Sequence, residues 1–329
     1  MAVHSYRYIG LAGIYLCAGW AHAQTGRVAG PGLGFIHDTG SHSLRPILGV
    51  PGSAYLGPPL MEEISFATVA PDGKLALVWK GKQAFFFRPD LDPGFTRLPE
   101  GELAEPALAA WAADSSAVVL YAETARRVQT IRNPPTGPEI DPPFDLPVEG
   151  VVTVLSITSR AGLVMAGIGQ DGGSGFYRIE RGGAQLLARM EKPAGAAFTS
   201  DGRRFIAADA AAKRIVEFDT GTFSVLSSTP EDTVEASALA VSTDSRDVYV
   251  VSPFSKTLSV YDRESWRRIA EVPLEFEPGG ISPLAGKNVY GLAAGKQPGD
   301  PVWILSGRPP AIYFVPGGLA AAAVSGEPQ

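Results

Sequence analysis

His37, Asp38, Ser41, His42 and Ser43 crowd into one short stretch, and they include the groups a nucleophilic hydrolase needs: a hydroxyl, an imidazole base and an orienting carboxylate. Their spacing argues against that use. On a strand His37 and Asp38 project from opposite faces, so the carboxylate cannot orient the imidazole beside it. As metal ligands the two histidines would need further donors from elsewhere in the chain.

Other chemistry-bearing residues yield to their context. Gly172-Gly173-Ser174-Gly175 follows Asp171 like a phosphate loop, but it leads into the strand-like Phe176 to Ile179 with no Lys-Ser/Thr pair, which marks a hairpin. Gly30-Pro31-Gly32-Leu33-Gly34 also opens a strand, so a dinucleotide fingerprint is rejected. Asp38, Asp90, Asp219 and Asp262 each end or follow an apolar run. A ring of carboxylates would attract cations. An Asp at the head of a turn, however, satisfies nearby backbone amides, and that reading covers all four. Asp72-Gly73 and Asp201-Gly202 are preferred tight-turn pairs. Trp79, Trp111, Trp266 and Trp303 sit in or beside apolar runs, where burial is expected; two of them exposed on one surface would suggest carbohydrate stacking. The sequence nominates no catalytic, cofactor-binding or metal-binding residue.

The elements that carry these residues repeat. Asp72, Asp114, Ser159, Asp201, Asp244 and Ala285 come into register at intervals of 42, 45, 42, 43 and 41 residues. In the clearest copy, Ser237 to Val241, Asp247 to Val251, Thr257 to Tyr261 and Trp266 to Val272 read as four antiparallel strands. The inner ones are apolar on consecutive positions (Val248-Tyr249-Val250-Val251), so both faces must be buried. A period near 43 built of such strands predicts an all-β propeller of four-stranded blades.

Six hairpin-bearing copies lie between Glu62 and Pro316. Gly34 to Asp38 and Ser43 to Leu48 resemble the last two strands of a further blade, which C-terminal residues near Leu319 to Ser325 would complete, closing a seven-bladed ring; six blades with a decorated N-terminus is the competing count. The Pro/Gly-rich stretches Gly49 to Pro59, Asn133 to Pro147 and Gly295 to Pro301 read as loops at repeat junctions or hairpins, and the last four residues as frayed.

Residues 1–23 carry Arg7, an apolar stretch from Tyr8 to Trp20 and Ala21-His22-Ala23 before Gln24, which predicts a secretory signal followed by a single domain over 24–329. The stretch is short of the roughly 20 residues of a membrane span, so no transmembrane anchor is expected. Cys17 follows Leu16 rather than a small residue, unlike a bacterial lipidation site. Cleavage would leave no cysteine, which excludes disulfide and thiolate chemistry, and 34 acidic against 27 basic side chains, which disfavours nucleic acid.

Residues 247–262, Asp-Val-Tyr-Val-Val-Ser-Pro-Phe-Ser-Lys-Thr-Leu-Ser-Val-Tyr-Asp, resemble the repeat of bacterial YVTN-type beta-propellers, with Val251-Ser252 where that repeat has Thr-Asn. A weaker copy spans Arg204 to Asp219. The resemblance implies an extracytoplasmic protein of a group that includes surface-layer proteins, binding modules and some lactonase-like enzymes. Two main expectations follow. One is a secreted or periplasmic, non-enzymatic propeller that needs no cofactor and presents loops on one ring face to a protein or other cell-envelope ligand. The other is a lactonase-like hydrolase with polar groups converging in an axial pocket. A structural envelope component that self-associates is a third.

Overall fold

The computed structural model describes residues 31–317 apart from 90–93, 100, 102, 135–136, 231–233, 294–296 and 298. Seven antiparallel sheets follow one another along the chain. The first holds β1 (Gly32–Asp38), β2 (Ser43–Leu48), β3 (Tyr55–Leu56) and β4 (Met61–Glu62); the second β5 (Phe66–Val69), β6 (Ala76–Lys80), β7 (Gln83–Phe87) and β8 (Phe95–Arg97). The third holds β9 (Leu108–Trp111), β10 (Ala117–Ala122), β11 (Arg127–Arg132), β12 (Glu139–Ile140) and β13 (Phe144–Asp145); the fourth β14 (Val151–Ile157), β15 (Val164–Gly169), β16 (Gly175–Glu180) and β17 (Gly183–Arg189). The fifth comprises β18 (Pro193–Phe198), β19 (Arg204–Asp209), β20 (Arg214–Asp219) and β21 (Val225–Ser228); the sixth β22 (Ala238–Val241), β23 (Asp247–Ser252), β24 (Thr257–Asp262) and β25 (Arg268–Pro273). The seventh is β26 (Gly280–Pro283), β27 (Val289–Ala293), β28 (Val302–Ser306) and β29 (Ala311–Val315).

The second strand of a sheet is its most deeply packed. Every residue of β10 and β23 is buried, whereas the outer β25 alternates towards solvent. A strand buried on both faces needs a neighbour on each side, and the core accordingly lies between sheets. Seven apolar clusters fill seven interfaces. Leu33 and Ile47 of the first sheet pack with Leu284, Ile304 and Val315 of the seventh, while Phe35 and Leu44 pack with Val78 and Phe87 of the second. The N-terminal sheet is therefore a blade and not a decoration, and the fold is a seven-bladed β-propeller.

Two expectations need correction. β1 and β2 are not the last strands of their blade, because β3 and β4 both pair with β2 on its outer side. The stretches Gly49 to Pro59 and Asn133 to Pro147 are not simple loops: they carry β3, β12 and β13, two-residue strands that form split outer edges. Leu319 to Ser325 lies outside the described residues.

Candidate functional site

One face of the ring carries the first hairpin turn of the second to seventh sheets and the start of β1. Asp72-Gly73 and Asp201-Gly202 form tight turns with Gly73 and Gly202 at φ +66° and +69°, where an L side chain is strained. The Asp carboxylates accept the following backbone amides, Lys74 N at 2.9 Å, Ser116 N at 3.1 Å, Arg203 N at 3.0 Å and Arg246 N at 3.3 Å. Neighbouring turns also bond to one another. Asp72 N donates to Ser115 Oγ, Arg160 N to Ser116 Oγ, Ser200 N to Ser245 Oγ, Thr243 N to Asn288 Oδ1 and Ala285 N to Leu33 O, all within 3.2 Å. These bonds tie five of the seven neighbouring pairs of sheets together at this face.

Along the axis runs a channel of ≈ 970 Å³ walled mainly by small apolar residues of the inner strands, such as Ala67, Ala109, Ala196 and Ala240. Its ionisable lining among the described residues is His37, Asp72, Asp114, Lys287 and Tyr290. Thr199 donates to Asp201, which lowers that carboxyl below its ordinary range, and Ser265 does the same for Asp262. Asp72 and Asp114 sit at the turn face. His37 sits roughly 10 Å further along, three strand residues beyond Gly34. Burial pushes the His37 imidazole down, with His42 adding to that effect, and its Nε2 has no hydrogen-bond partner. Among the described residues His37 Nε2 therefore makes no hydrogen bond to a hydroxyl that it could activate as a base.

The residues that suggested a triad are not assembled into one. Asp38 accepts from Ser41 Oγ at 2.6 Å, caps Gly40 N and Ser41 N, and pairs with Arg45 at 3.5 Å. Asp219 and Asp262 cap their turns likewise through Gly221 N, Thr222 N and Ser265 N, while Asp90 lies outside the described residues. Gly172 to Ser174 turn the hairpin between β15 and β16, pinned by Gln170 N to Ser174 Oγ. Trp79 is buried, Trp111 Nε1 donates to Thr68 across the interface, Trp266 Nε1 donates to Ser227 of the preceding sheet, and Trp303 stacks on Phe276 at 4.6 Å. None of the four forms a free aromatic platform. Among the described residues no group of three His, Cys, Asp or Glu side chains is placed to hold a metal ion, and no helix is long and apolar enough to cross a membrane.

The opposite face carries the hairpins between second and third strands. Arg126, Lys213 and Lys256 hold the same place in three of them, each left-handed at φ 51°, 47° and 51°. Their carbonyls accept from Leu146, Val234 and Leu274 N at 2.8 Å, where the chain crosses to the next sheet, and this bond offsets a backbone strain of ~1 kcal/mol. Arg126 pairs with Glu149 at 3.5 Å and Lys213 with Glu235 at 3.3 Å. Lys256 has no such pair within 4.0 Å among the described residues. Two positions before it stands Phe254, 87% exposed. It is held on a short loop, closed by the Ser252 and Thr257 strand pair and by Ser255 N bonding Ser252 Oγ at 3.3 Å. Sequence reading passed over this residue as part of a turn. The signal was an aromatic in a Pro-Phe turn, where Gly, Asn or Asp is the usual choice.

No protein-family model and no curated protein matches the chain. Solved structures do. The β-propeller domain of Myceliophteria thermophila Cps50 (Swd1) superposes with a TM-score of 0.61 over 78% of this chain and 87% of that one, at 9% identity. Kuenenia stuttgartiensis hydrazine synthase does so with a TM-score of 0.58 over 79% and 88%, at 11% identity. At these identities the likeness is one of fold.

Proposed function

We propose that the protein is an exported, non-enzymatic binding module that takes a protein ligand of the cell envelope on the hairpin face. The β-propeller fold is consistent with a binding or scaffold module. Phe254 is the observation that carries the choice of face: it is the most exposed large apolar side chain among the described residues and is held on a short, pinned hairpin, the setting in which an aromatic acts as a binding anchor. With Lys256 beside it, the matching surface is an apolar pocket flanked by a carboxylate. The leader-like residues 1–23 and the repeat-like stretch at 247–262 support an extracytoplasmic place.

The test is capture from an envelope extract by immobilised protein, wild type against Phe254→Asp, followed by titration of the recovered ligand. Phe254→Ala should weaken binding roughly 30-fold, the ~2 kcal/mol of an aromatic anchor, without moving the melting temperature. Equal recovery by wild type and Phe254→Asp refutes the assignment of this face. Intact mass of the exported chain should match a start at Gln24.

A further inference from the structure

We infer that the Phe254 surface continues into the cleft between the sixth and seventh sheets and receives an extended basic segment of a partner protein. The inference rests on the reading of the hairpin face given above and names what that face takes. The bond from Leu274 N to Lys256 O at 2.8 Å ties the Phe254 hairpin to the chain crossing between these two sheets. Phe254 stands two residues before the acceptor and Phe276 two residues after the donor, so each is within ~7 Å of chain from that bond. Phe276 is half-buried and stacks on Trp303 of β28, with ring centroids 4.6 Å apart and planes at 17°. Trp303 meets Phe314, its cross-strand partner on β29, edge-on at 5.5 Å. The three rings make a row from the crossing loop to the rim of the seventh sheet.

The row faces a gap. Trp303 lies with Leu305 and Ile312 on the side of its sheet that packs with the sixth, and Phe314, directly opposite Trp303 in the ladder, shares that side. The facing strand β25 presents Ala270 and Val272 to this interface. Such small side chains leave the space unfilled, and Phe314 stays 55% exposed although it points at a neighbouring blade. Trp303 is held between two rings and positions them; Phe276 and Phe314 keep surface for a ligand.

Charge names the occupant. Glu275 and Glu277 flank Phe276, are both exposed and have no cation partner among the described residues. The crossing loop from Leu274 to Gly279 carries no Lys or Arg of its own. Carboxylates on both sides of an aromatic call for Lys or Arg side chains, with apolar or proline residues between them against the rings. An extended, proline-bearing chain suits the row, because its backbone is already stretched and loses little entropy on docking. The partner's pocket for Phe254 and its carboxylate for Lys256 lie beyond one end of this segment.

Calorimetric titration of the intact protein with a peptide of three Pro-Pro-Arg repeats, against one of three Pro-Pro-Glu repeats, tests this. The basic peptide should bind and shift the tryptophan emission, a shift that Trp303→Phe removes, and the acidic peptide should not bind. Glu275→Lys combined with Glu277→Lys changes two exposed side chains, should leave the melting temperature in place and should weaken the basic peptide about tenfold. Phe314→Ser should weaken it by a similar factor of about ten. Binding of neither peptide, equal binding of both, or equal binding of the basic peptide to wild type and the charge-reversed variant overturns the inference. A cellulose or chitin oligosaccharide that shifts the Trp303 emission while both peptides are silent assigns the row to a glycan and overturns it too. Capture from envelope extract separates this inference from the reading beneath it. Recovery lost in Phe254→Asp but kept in the charge-reversed variant and in Phe314→Ser overturns the basic segment alone, whereas recovery kept in Phe254→Asp overturns the choice of face.

Discussion

Removing Arg263 tests how the blades are held together. Glu217 on β20 is 4% exposed, and its carboxylate accepts from Arg263 Nη1 of the next sheet at 2.5 Å and from Ser227 Oγ at 3.0 Å. Ser227 in turn accepts from Trp266 Nε1 at 2.7 Å, and Arg263 Nε reaches Ser245 O at 2.6 Å. The remaining cation, Arg204, stands at 4.0 Å. Arg263→Met keeps the aliphatic stem and leaves a buried carboxylate short of its main partner, which costs ~3 kcal/mol. With an unfolding entropy of ~2.1 cal/mol/K per residue over about 290 ordered residues, that is a fall of ~5 °C in melting temperature. Calorimetry at pH 7 reads it. Adding Glu217→Gln should restore most of the loss, because the uncompensated charge is gone, and salt should change little in either protein. A fall below ~1 °C on Arg263→Met, or no recovery in the double variant, would refute the view that this pair clamps adjacent blades.

Asp247 offers the opposite sign. It is 1% exposed, both carboxylate oxygens lack a hydrogen-bond partner, and burial holds its pKa above the ordinary range despite Arg308 at 3.4 Å. A raised folded pKa gives stability that is complete below the unfolded value near ~3.9 and is lost as pH rises through the folded value, so Asp247→Asn should raise the melting temperature by ~2 °C at pH 7 and leave it unchanged at pH 3. Equal effects of Asp247→Asn at both pH values in urea melts would show the burial cost to be imaginary. Gly73 and Gly81 separate ring contacts from local strain: both have positive φ, but a Cβ at Gly73 would lie 2.6 Å from Ala285 Cβ and one at Gly81 meets nothing within 4 Å. Gly81→Ala should cost ~1 kcal/mol and Gly73→Ala at least twice that, and equal shifts would remove the case for a tight contact there.

Much of the fold was legible because its strongest signals are local and repeated. Asp72, Asp114, Asp201 and Asp244 all fell in the first hairpin turn, and strands such as Asp247–Ser252 differ from expectation by a residue or so. Two-residue strands such as Glu139–Ile140 leave no alternation to read. Asp38 caps its turn as Asp262 does, so the letters around it matched a third strand, whereas packing against Leu284 and Val78 places β1 at the axis. Phe254 escaped notice because one exposed aromatic has no periodicity. Glu217 and Arg263, 46 residues apart, could have been found by searching for opposite charges one repeat apart.

The two ring faces differ in how their turns are held. On the turn face, side-chain and backbone donors of adjacent blades satisfy one another, so a ligand docking there would have to displace bonds worth ~1 kcal/mol each. On the hairpin face the bonds from Leu146, Val234 and Leu274 N to the turn carbonyls use backbone atoms only; the side chains of Arg126 and Lys213 pair within the fold, and that of Lys256 has no ion pair within 4.0 Å among the described residues. The Phe254 tip can change residue type without loosening the ring, because its support comes from the Ser252–Thr257 pairing, Ser255 N to Ser252 Oγ and Leu274 N to Lys256 O, none of which involves the Phe254 side chain. Phe254 at this tip is 87% exposed, so on the proposed reading it is the side chain free to meet a partner, and Phe254→Asp should leave the melting temperature unchanged while abolishing capture.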